Sequence, residues 1–128
     1  YVSNADKSVA GYFSLGITYT LTNKLDKAVV KFLDGYTDET IAIPCYLIGQ
    51  LGKSDTCKEK IGSFLLDDAL SIIDKAQESL NGRFVLIDSV NDERVIKFYE
   101  QNSFIAIEND KSLKSIKMIK PYFEHNEL

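Results

Sequence analysis

The residues with the clearest chemical potential lie between an apolar segment, YLIGQL, and a long helical pattern. They are two lysines, Lys58 and Lys60, and the glycine Gly62, within the stretch KSDTCKEKIGS. A strand that ends in such a loop and leads into a helix directs free backbone N–H groups and the positive end of the helix dipole at one point. The sequence therefore predicts a phosphate-binding site at the start of this helix.

Other kinds of chemistry find little support. The only histidine, His125, lies in the polar segment EHNEL, which disfavours a histidine-based catalytic triad. Cys45 and Cys57 form no CxxC pair, so neither a disulfide scaffold nor a metal site is indicated. Both glycine-rich nucleotide signatures, GxGxxG and the P-loop, are missing from the sequence, which weakens a nucleotide-binding interpretation.

The composition of the 128 residues bounds the class of protein. With 45% hydrophobic content the chain can bury one core, which predicts a single domain over residues 1–128. A formal net charge of −4 argues against nonspecific nucleic-acid binding, although Lys53, Lys58 and Lys60 form a local basic cluster. The sequence has neither a signal-peptide pattern nor an apolar run near about 18 residues, so we expect a cytoplasmic protein that does not bind membranes.

The first half of the chain predicts strands around one short helix. Residues 1–3 and 9–22 are predicted to form a hairpin, in which Gly11 and Gly16 favour a bulge or a close backbone approach. Residues 24–34 have the apolar spacing of an amphipathic helix. Pro44 marks the entry to a central strand that is apolar enough to be covered on both faces. Because the sequence begins almost inside a strand, we expect that an N-terminal portion of the natural fold is absent.

The second half predicts a parallel strand–helix–strand unit. An apolar stripe predicts a long helix from about residue 61 to residue 80, and residues 83–89 form the strand after it. The stripe consists of Ile61, Leu65, Ala69, Ile72, Ile73, Ala76 and Leu80. Asn91 is expected to cap a second helix, which ends near residues 102–103. Residues 104–108 and 113–120 are predicted antiparallel strands around a turn at residues 109–111.

The phrase FYEQNSF, residues 98–104, and the order of the elements resemble the Gcn5-related N-acetyltransferase (GNAT) family. That family often ends its second conserved helix in a phrase similar to FYEKxGF. The resemblance covers roughly residues 9–120, and it implies that the family's N-terminal strand and helices are absent. It implies a mixed, mostly antiparallel α/β sheet with a central, splayed parallel strand pair flanked by helices. It also implies acetyl-CoA as cosubstrate.

The resemblance assigns cofactor-binding roles to two segments. The exposed backbone of Leu51, Gly52 and Lys53 would pair with the pantetheine arm of acetyl-CoA. The pyrophosphate would lie on the loop and helix start, formed by Lys58, Lys60, Ile61, Gly62 and Ser63. Of the family's Q/R-x-x-G-x-G/A pattern only Gly62 is retained, and we expect the charge of Lys58 or Lys60 to compensate. Lys60→Glu should then weaken acetyl-CoA binding, whereas an unchanged affinity would count against this compensation.

The resemblance also implies a catalytic group. Tyr99 matches the tyrosine that acts as general acid toward the departing CoA thiolate, and a phenol with a pKa of about 10 is suited to that step. Asn91 matches a polar contact to the cofactor. Each residue also has a structural interpretation: Tyr99 as a core residue, Asn91 as a cap and Gly62 as a plain helix start. Asp88 and Glu39 are open candidates for a general base.

The sequence thus favours an N-acetyltransferase that transfers acetyl from acetyl-CoA to an amine by direct attack. The alternative is a degenerate GNAT-like module for CoA binding or protein interaction. The segments LIGQLGK and FYEQNSF also resemble bacterial toxin acetyltransferases, although members that modify charged tRNA are expected to be basic and this chain is acidic. A homodimer and tRNA are left open as partners.

Overall fold

The computed structural model of the protein describes residues 9–23, 25–34, 39, 41–53, 61–80, 82–107 and 112–122. Five strands and three helices lie in this part of the chain. In order they are β1 (Gly11–Leu21), α1 (Lys27–Asp34), β2 (Ala42–Lys53), α2 (Gly62–Gln77), β3 (Phe84–Val90), α3 (Glu93–Gln101), β4 (Ile105–Ala106) and β5 (Ser115–Pro121). The predicted strand at residues 1–3 and the predicted turn at 109–111 lie outside the described residues.

The strands form one mixed sheet with the order β1-β2-β3-β5-β4. β2 and β3 pair in parallel through the crossover helix α2, and the other neighbours pair antiparallel. This arrangement confirms the predicted mixed sheet with a parallel pair at its centre. β4 is shorter than predicted, with only Ile105 and Ala106 in the ladder.

Helices cover both faces of the sheet. On one face, which we call the α2/α3 face, Ile48 and Ile87 pack in a core with α2 residues and Tyr99 of α3. On the other, which we call the α1 face, Ile43 and Cys45 pack against α1. The prediction that the central strand is covered on both faces is therefore confirmed.

Two helix boundaries differ from the predicted ones, and a polar side chain lies at each of them. α1 begins at Lys27 because the Asp26 carboxylate accepts a hydrogen bond from the Ala28 N–H at 3.0 Å, as an N-cap does. α2 ends at Gln77, whose side-chain oxygen accepts a hydrogen bond from the Tyr46 hydroxyl. Leu80 consequently lies beyond the helix.

The buried stripe of α2 is also shifted from the predicted one. Ile72 and Leu80, both assigned to the stripe, are 51% and 44% exposed. Leu66, left out of it, is fully buried. The helix packs on its 65–66–69–73 face because that face meets the sheet.

Among the described residues we find no helix with the length and apolarity needed to cross a membrane.

A Schellman motif ends α3 and fixes the distance between Tyr99 and Phe104. The Phe104 N–H donates to the Tyr99 carbonyl at 3.0 Å, and the Ser103 N–H donates to the Glu100 carbonyl at 3.1 Å. Ser103 has a φ of 72°, a left-handed conformation that glycine adopts with less strain. Ser103 occupies the position of the glycine in the family phrase.

Ser103→Gly is therefore expected to stabilise the protein by about 0.5–1 kcal/mol, because it removes the strain of a side chain in this conformation. Urea unfolding would measure the change in the free energy of unfolding. Ser71→Gly, at an exposed position inside α2, is the matched control and should destabilise the protein by a few tenths of a kcal/mol to about 1 kcal/mol. A loss of stability in Ser103→Gly would contradict the expectation.

Candidate active site

The parallel pair at the centre of the sheet separates part of the way along its length. Its pairing ends with Ile48 opposite Ile87, whereas β2 continues to Lys53 and β3 to Val90. Beyond that point β2 stays paired with β1, and β3 stays paired with β5. The facing backbone N–H and C=O groups are thus left without partners from the other strand. We call this opening the β2–β3 gap.

A β-bulge in β2 marks the point where the gap begins. Ser14 lies opposite Gln50 and the next residue, Leu15, lies opposite Ile48, so Gly49 is the extra residue. A Cβ on Gly49 would lie 3.0 Å from the Ser14 hydroxyl oxygen, so a larger residue there would require the Ser14 side chain to shift. A bulge increases local twist and redirects the strand, which accounts for the separation of β2 from β3 directly after Ile48.

The first turn of α2 lies at the edge of the gap and presents backbone N–H groups that have no acceptor within the helix. Its N-cap, Ile61, supplies no side-chain hydrogen bond, and the first turn contains no acidic residue. Leu65 donates to the Ile61 carbonyl at 2.9 Å, whereas the amides before it have no intrahelical acceptor. A Cβ on Gly62 would lie 3.6 Å from the ring of Phe98, so α2 starts directly beside α3. These amides and the exposed Ser63 hydroxyl can bind an anion.

Tyr99 lies on the side of α3 that faces the core. It is 5% exposed, and its ring packs edge-on against Phe98 and Phe104 with centroid distances of 5.2 and 5.7 Å. Burial raises the pKa of the Tyr99 phenol above its ordinary value. The phenol is therefore protonated at neutral pH.

The predicted pantetheine-binding residues lie along the gap. Leu51 packs against the small core of Ala10, Ile61 and Leu65, which ties the free part of β2 to the start of α2. Gly52 and Lys53 are the last two residues of β2. The structure thus brings Leu51 close to Ile61. The predicted contacts Lys58 and Lys60 lie outside the described residues.

Asn91 has a different role from the predicted cap. The N-cap of α3 is Asp92, whose carboxylate accepts a hydrogen bond from the Arg94 N–H at 2.8 Å. The Asn91 side-chain amide donates to the Leu113 carbonyl at 2.8 Å and so ties the start of α3 to the segment before β5. The cap prediction was wrong because either residue type can cap, and tertiary contacts selected Asp92.

A surface pocket of about 550 Å³ opens beside Asn91 on the outer side of α3. Its described lining consists of Asn91, Glu93, Ile96, Lys97 and Glu100. Leu51, Gly62 and Tyr99 are not part of this lining, so among the predicted site residues that the structure describes only Asn91 borders the pocket.

The two candidates for a general base differ in their surroundings. Asp88 lies on β3 at the gap and forms an ion pair with Lys117 at 3.5 Å. It alternates with Ile87, so it lies on the α1 face, opposite Tyr99. Glu39 is exposed outside the helices and strands. In the described part of the chain, no His, Cys, Asp and Glu group could hold a metal ion.

The chain has the GNAT fold, which is defined by the sheet order, the central gap and the two helices that cover one face of the sheet. Solved structures confirm this fold. A crystal structure of a bacterial toxin matches with a TM-score of 0.73 and 16% identity, over 94% of this chain and 64% of the toxin chain. AtaT complexed with acetyl-methionyl-tRNAfMet matches with a TM-score of 0.69 and 17% identity, over 94% of this chain and 67% of AtaT. A tyrosine-to-phenylalanine variant of KacT matches with a TM-score of 0.70 and 16% identity, over 94% and 67% of the two chains.

At these identities the likeness establishes the fold. The chain spans about 64% of the length of the first of these toxins. Neither a protein-family model nor a curated protein matches the sequence.

Proposed function

We propose that the chain is an acetyl-CoA-dependent N-acetyltransferase. The observation that carries the proposal is the β2–β3 gap, which opens beside the uncapped start of α2. A free strand edge offers hydrogen-bonding groups to the amide-containing pantetheine arm, and a helix N-terminus offers N–H groups to the pyrophosphate. AtaT structures with bound acetyl-CoA support this proposal at the level of the fold.

Transfer occurs by direct attack. The amine nitrogen forms a bond to the thioester carbon, the C–S bond breaks, and the departing thiolate takes the proton of the Tyr99 hydroxyl. The phenolate is reprotonated from solvent, and the new amide loses its surplus proton to solvent. A cysteine intermediate is not needed, and burial of Cys45 raises the pKa of its thiol, which keeps that thiol uncharged in the α1 core.

The acceptor is an amine, and the molecule that bears this amine has to be identified by experiment. AtaT was solved with an acetylated methionyl-tRNA, which places an aminoacyl-tRNA among the amines to be tested. The formal net charge of −4 weakens long-range attraction to RNA. Small amines therefore belong in the same panel.

Calorimetric titration with acetyl-CoA, followed by a CoA-release assay with the amine panel, tests the proposal. We expect saturable binding with a dissociation constant between about 1 μM and 1 mM, and CoA release that depends on the amine. Without measurable binding or release, the proposal would be wrong.

The competing hypothesis is an interaction module that has lost acetyl-CoA binding. It rests on the departure from the family's Q/R-x-x-G-x-G/A pattern, of which this chain retains only Gly62. Binding without amine-dependent release would favour a CoA-binding module, and an absence of binding would favour an interaction module.

A further inference from the structure

Tyr12 lies over the strand that borders the β2–β3 gap. It pairs with Gly52 across β1 and β2. Its ring carbon Cζ and its hydroxyl oxygen each lie 3.0 Å from the position that a Cβ on Gly52 would take. The ring therefore lies over Gly52, in the space that a side chain at this position would fill. Tyr12 is 52% exposed, so the ring is accessible from solvent.

Tyr12 lies on the face of the sheet opposite Tyr99. Side chains alternate along β1, and Thr20, an even number of positions from Tyr12, contacts Cys45 of the α1 core at 3.4 Å. Phe13, on the other face, packs against the α2/α3 core. The amides of α2 and the phenol of Tyr99 are thus on one side of the gap, and Tyr12 is on the other.

Two residues of β3 complete the α1 face of the gap. Val90 and Asp88 alternate with Ser89 and share the face of Leu86, which belongs to the α1 core. Val90 is 64% exposed. If the register of the parallel pair is continued past Ile48 with Gly49 counted as the extra residue, Val90 falls opposite Gly52. The gap is therefore bordered on this face by an aromatic ring, an exposed valine and the Asp88–Lys117 ion pair.

We infer that Tyr12 is an acceptor-contact residue that selects amines with an apolar group next to the nitrogen. The inference rests on the proposed function and names the substrate class of the same site. Acetyl-CoA on the α2/α3 face leaves the α1 face for the amine, whose nitrogen must reach the thioester carbon through the gap. The Tyr12 ring and Val90 bury the apolar group, whereas the charge of Asp88 is already paired with Lys117 at 3.5 Å.

Amine kinetics with 2-phenylethylamine and ethylamine test this role in the wild type, Tyr12→Ala and Tyr12→Phe. We expect Tyr12→Ala to lower kcat/KM for 2-phenylethylamine about tenfold, with a small change for ethylamine and an unchanged KM for acetyl-CoA. Tyr12→Phe keeps the ring and should stay close to wild type. Tyr19→Ala, at a 67% exposed tyrosine on the other face of β1, is the matched control and should change neither amine.

Each outcome separates the inference from the proposed function. Equal losses for both amines, or a raised KM for acetyl-CoA, would overturn the role of Tyr12 and leave the transferase standing. If the wild type is active and Tyr12→Ala has the same kinetics, the role of Tyr12 is likewise overturned and the transferase stands. A wild type that neither binds acetyl-CoA nor releases CoA with any amine would overturn both. Thermal unfolding of each variant identifies a loss of activity that comes from misfolding. If Tyr12→Ala misfolds, the kinetics of Tyr12→Phe decide whether the role of Tyr12 stands.

Discussion

Replacing Tyr99 with phenylalanine is expected to lower kcat about 100-fold, while the KM for acetyl-CoA stays near its wild-type value. The phenol would protonate the departing thiolate, and loss of a general acid typically costs a factor of this size. The ring of phenylalanine keeps the packing against Phe98 and Phe104, so the fold should persist. Steady-state CoA release, with unfolding measured in parallel, gives both quantities.

The pH dependence follows from the direction of the Tyr99 pKa. Because burial raises that pKa above its ordinary value of about 10, the phenol is largely protonated at pH 9. Ionisation of Tyr99 should therefore not lower kcat between pH 7 and about pH 9. Tyr122→Phe, which removes a hydroxyl that donates to Asp74 at 2.7 Å, is the matched control and should leave kcat unchanged. A Tyr99→Phe enzyme with wild-type kcat would exclude the general-acid role.

Ser63→Asp is expected to change stability and cofactor binding in opposite directions. A carboxylate in the first turn of α2 interacts favourably with the helix dipole and should stabilise the protein by about 0.3–1 kcal/mol. The same charge would repel the pyrophosphate at the neighbouring amides and weaken acetyl-CoA binding roughly 10- to 100-fold. Urea unfolding and calorimetric titration measure the two effects separately.

Opposite signs distinguish this result from a folding defect, which would weaken both properties. Ser71→Asp places the same charge at an exposed position farther along α2 and should change the affinity for acetyl-CoA little. If Ser63→Asp binds acetyl-CoA as tightly as the wild type, the pyrophosphate does not lie at the start of α2.

Local sequence patterns were sufficient to predict the parallel unit at the centre of the sheet. The apolar run before Gln50, the periodic apolar residues from Leu65 to Ile73 and the strand that includes Ile87 each carry their own signal. Local patterns were not sufficient where two neighbouring residues can fill the same role. Asn91 and Asp92 can both cap a helix, and the choice depends on the contact between Asn91 and Leu113.

The geometry of the candidate site depended on tertiary contacts that the sequence does not encode locally. The sequence indicated a bulge or a close backbone approach at Gly11 and Gly16, and the bulge lies at Gly49 in the neighbouring strand. The other alternative, a close approach, is found at Gly11, since a Cβ there would lie 2.8 Å from side-chain atoms of Ile61 and Leu65. The bulge and the end of pairing after Ile48 are properties of three adjacent strands.

Tyr12 was missed for a related reason. In the sequence it is one aromatic residue among several in an alternating strand, which indicates packing and not substrate contact. Only the pairing with Gly52 places its ring over β2. A glycine opposite an exposed aromatic residue could have drawn attention to it, but the register that pairs the two residues was not predictable.

A crystal structure of the protein with bound acetyl-CoA is the most direct test of the central claim, that the β2–β3 gap holds the thioester between α2 and Tyr99. We predict that the pantetheine arm lies along Leu51, that the pyrophosphate contacts the amides of Gly62 and Ser63, and that the Tyr99 hydroxyl lies within hydrogen-bonding distance of the thioester sulfur. A cofactor bound away from the gap, or a Tyr99 hydroxyl directed away from the sulfur, would contradict the claim.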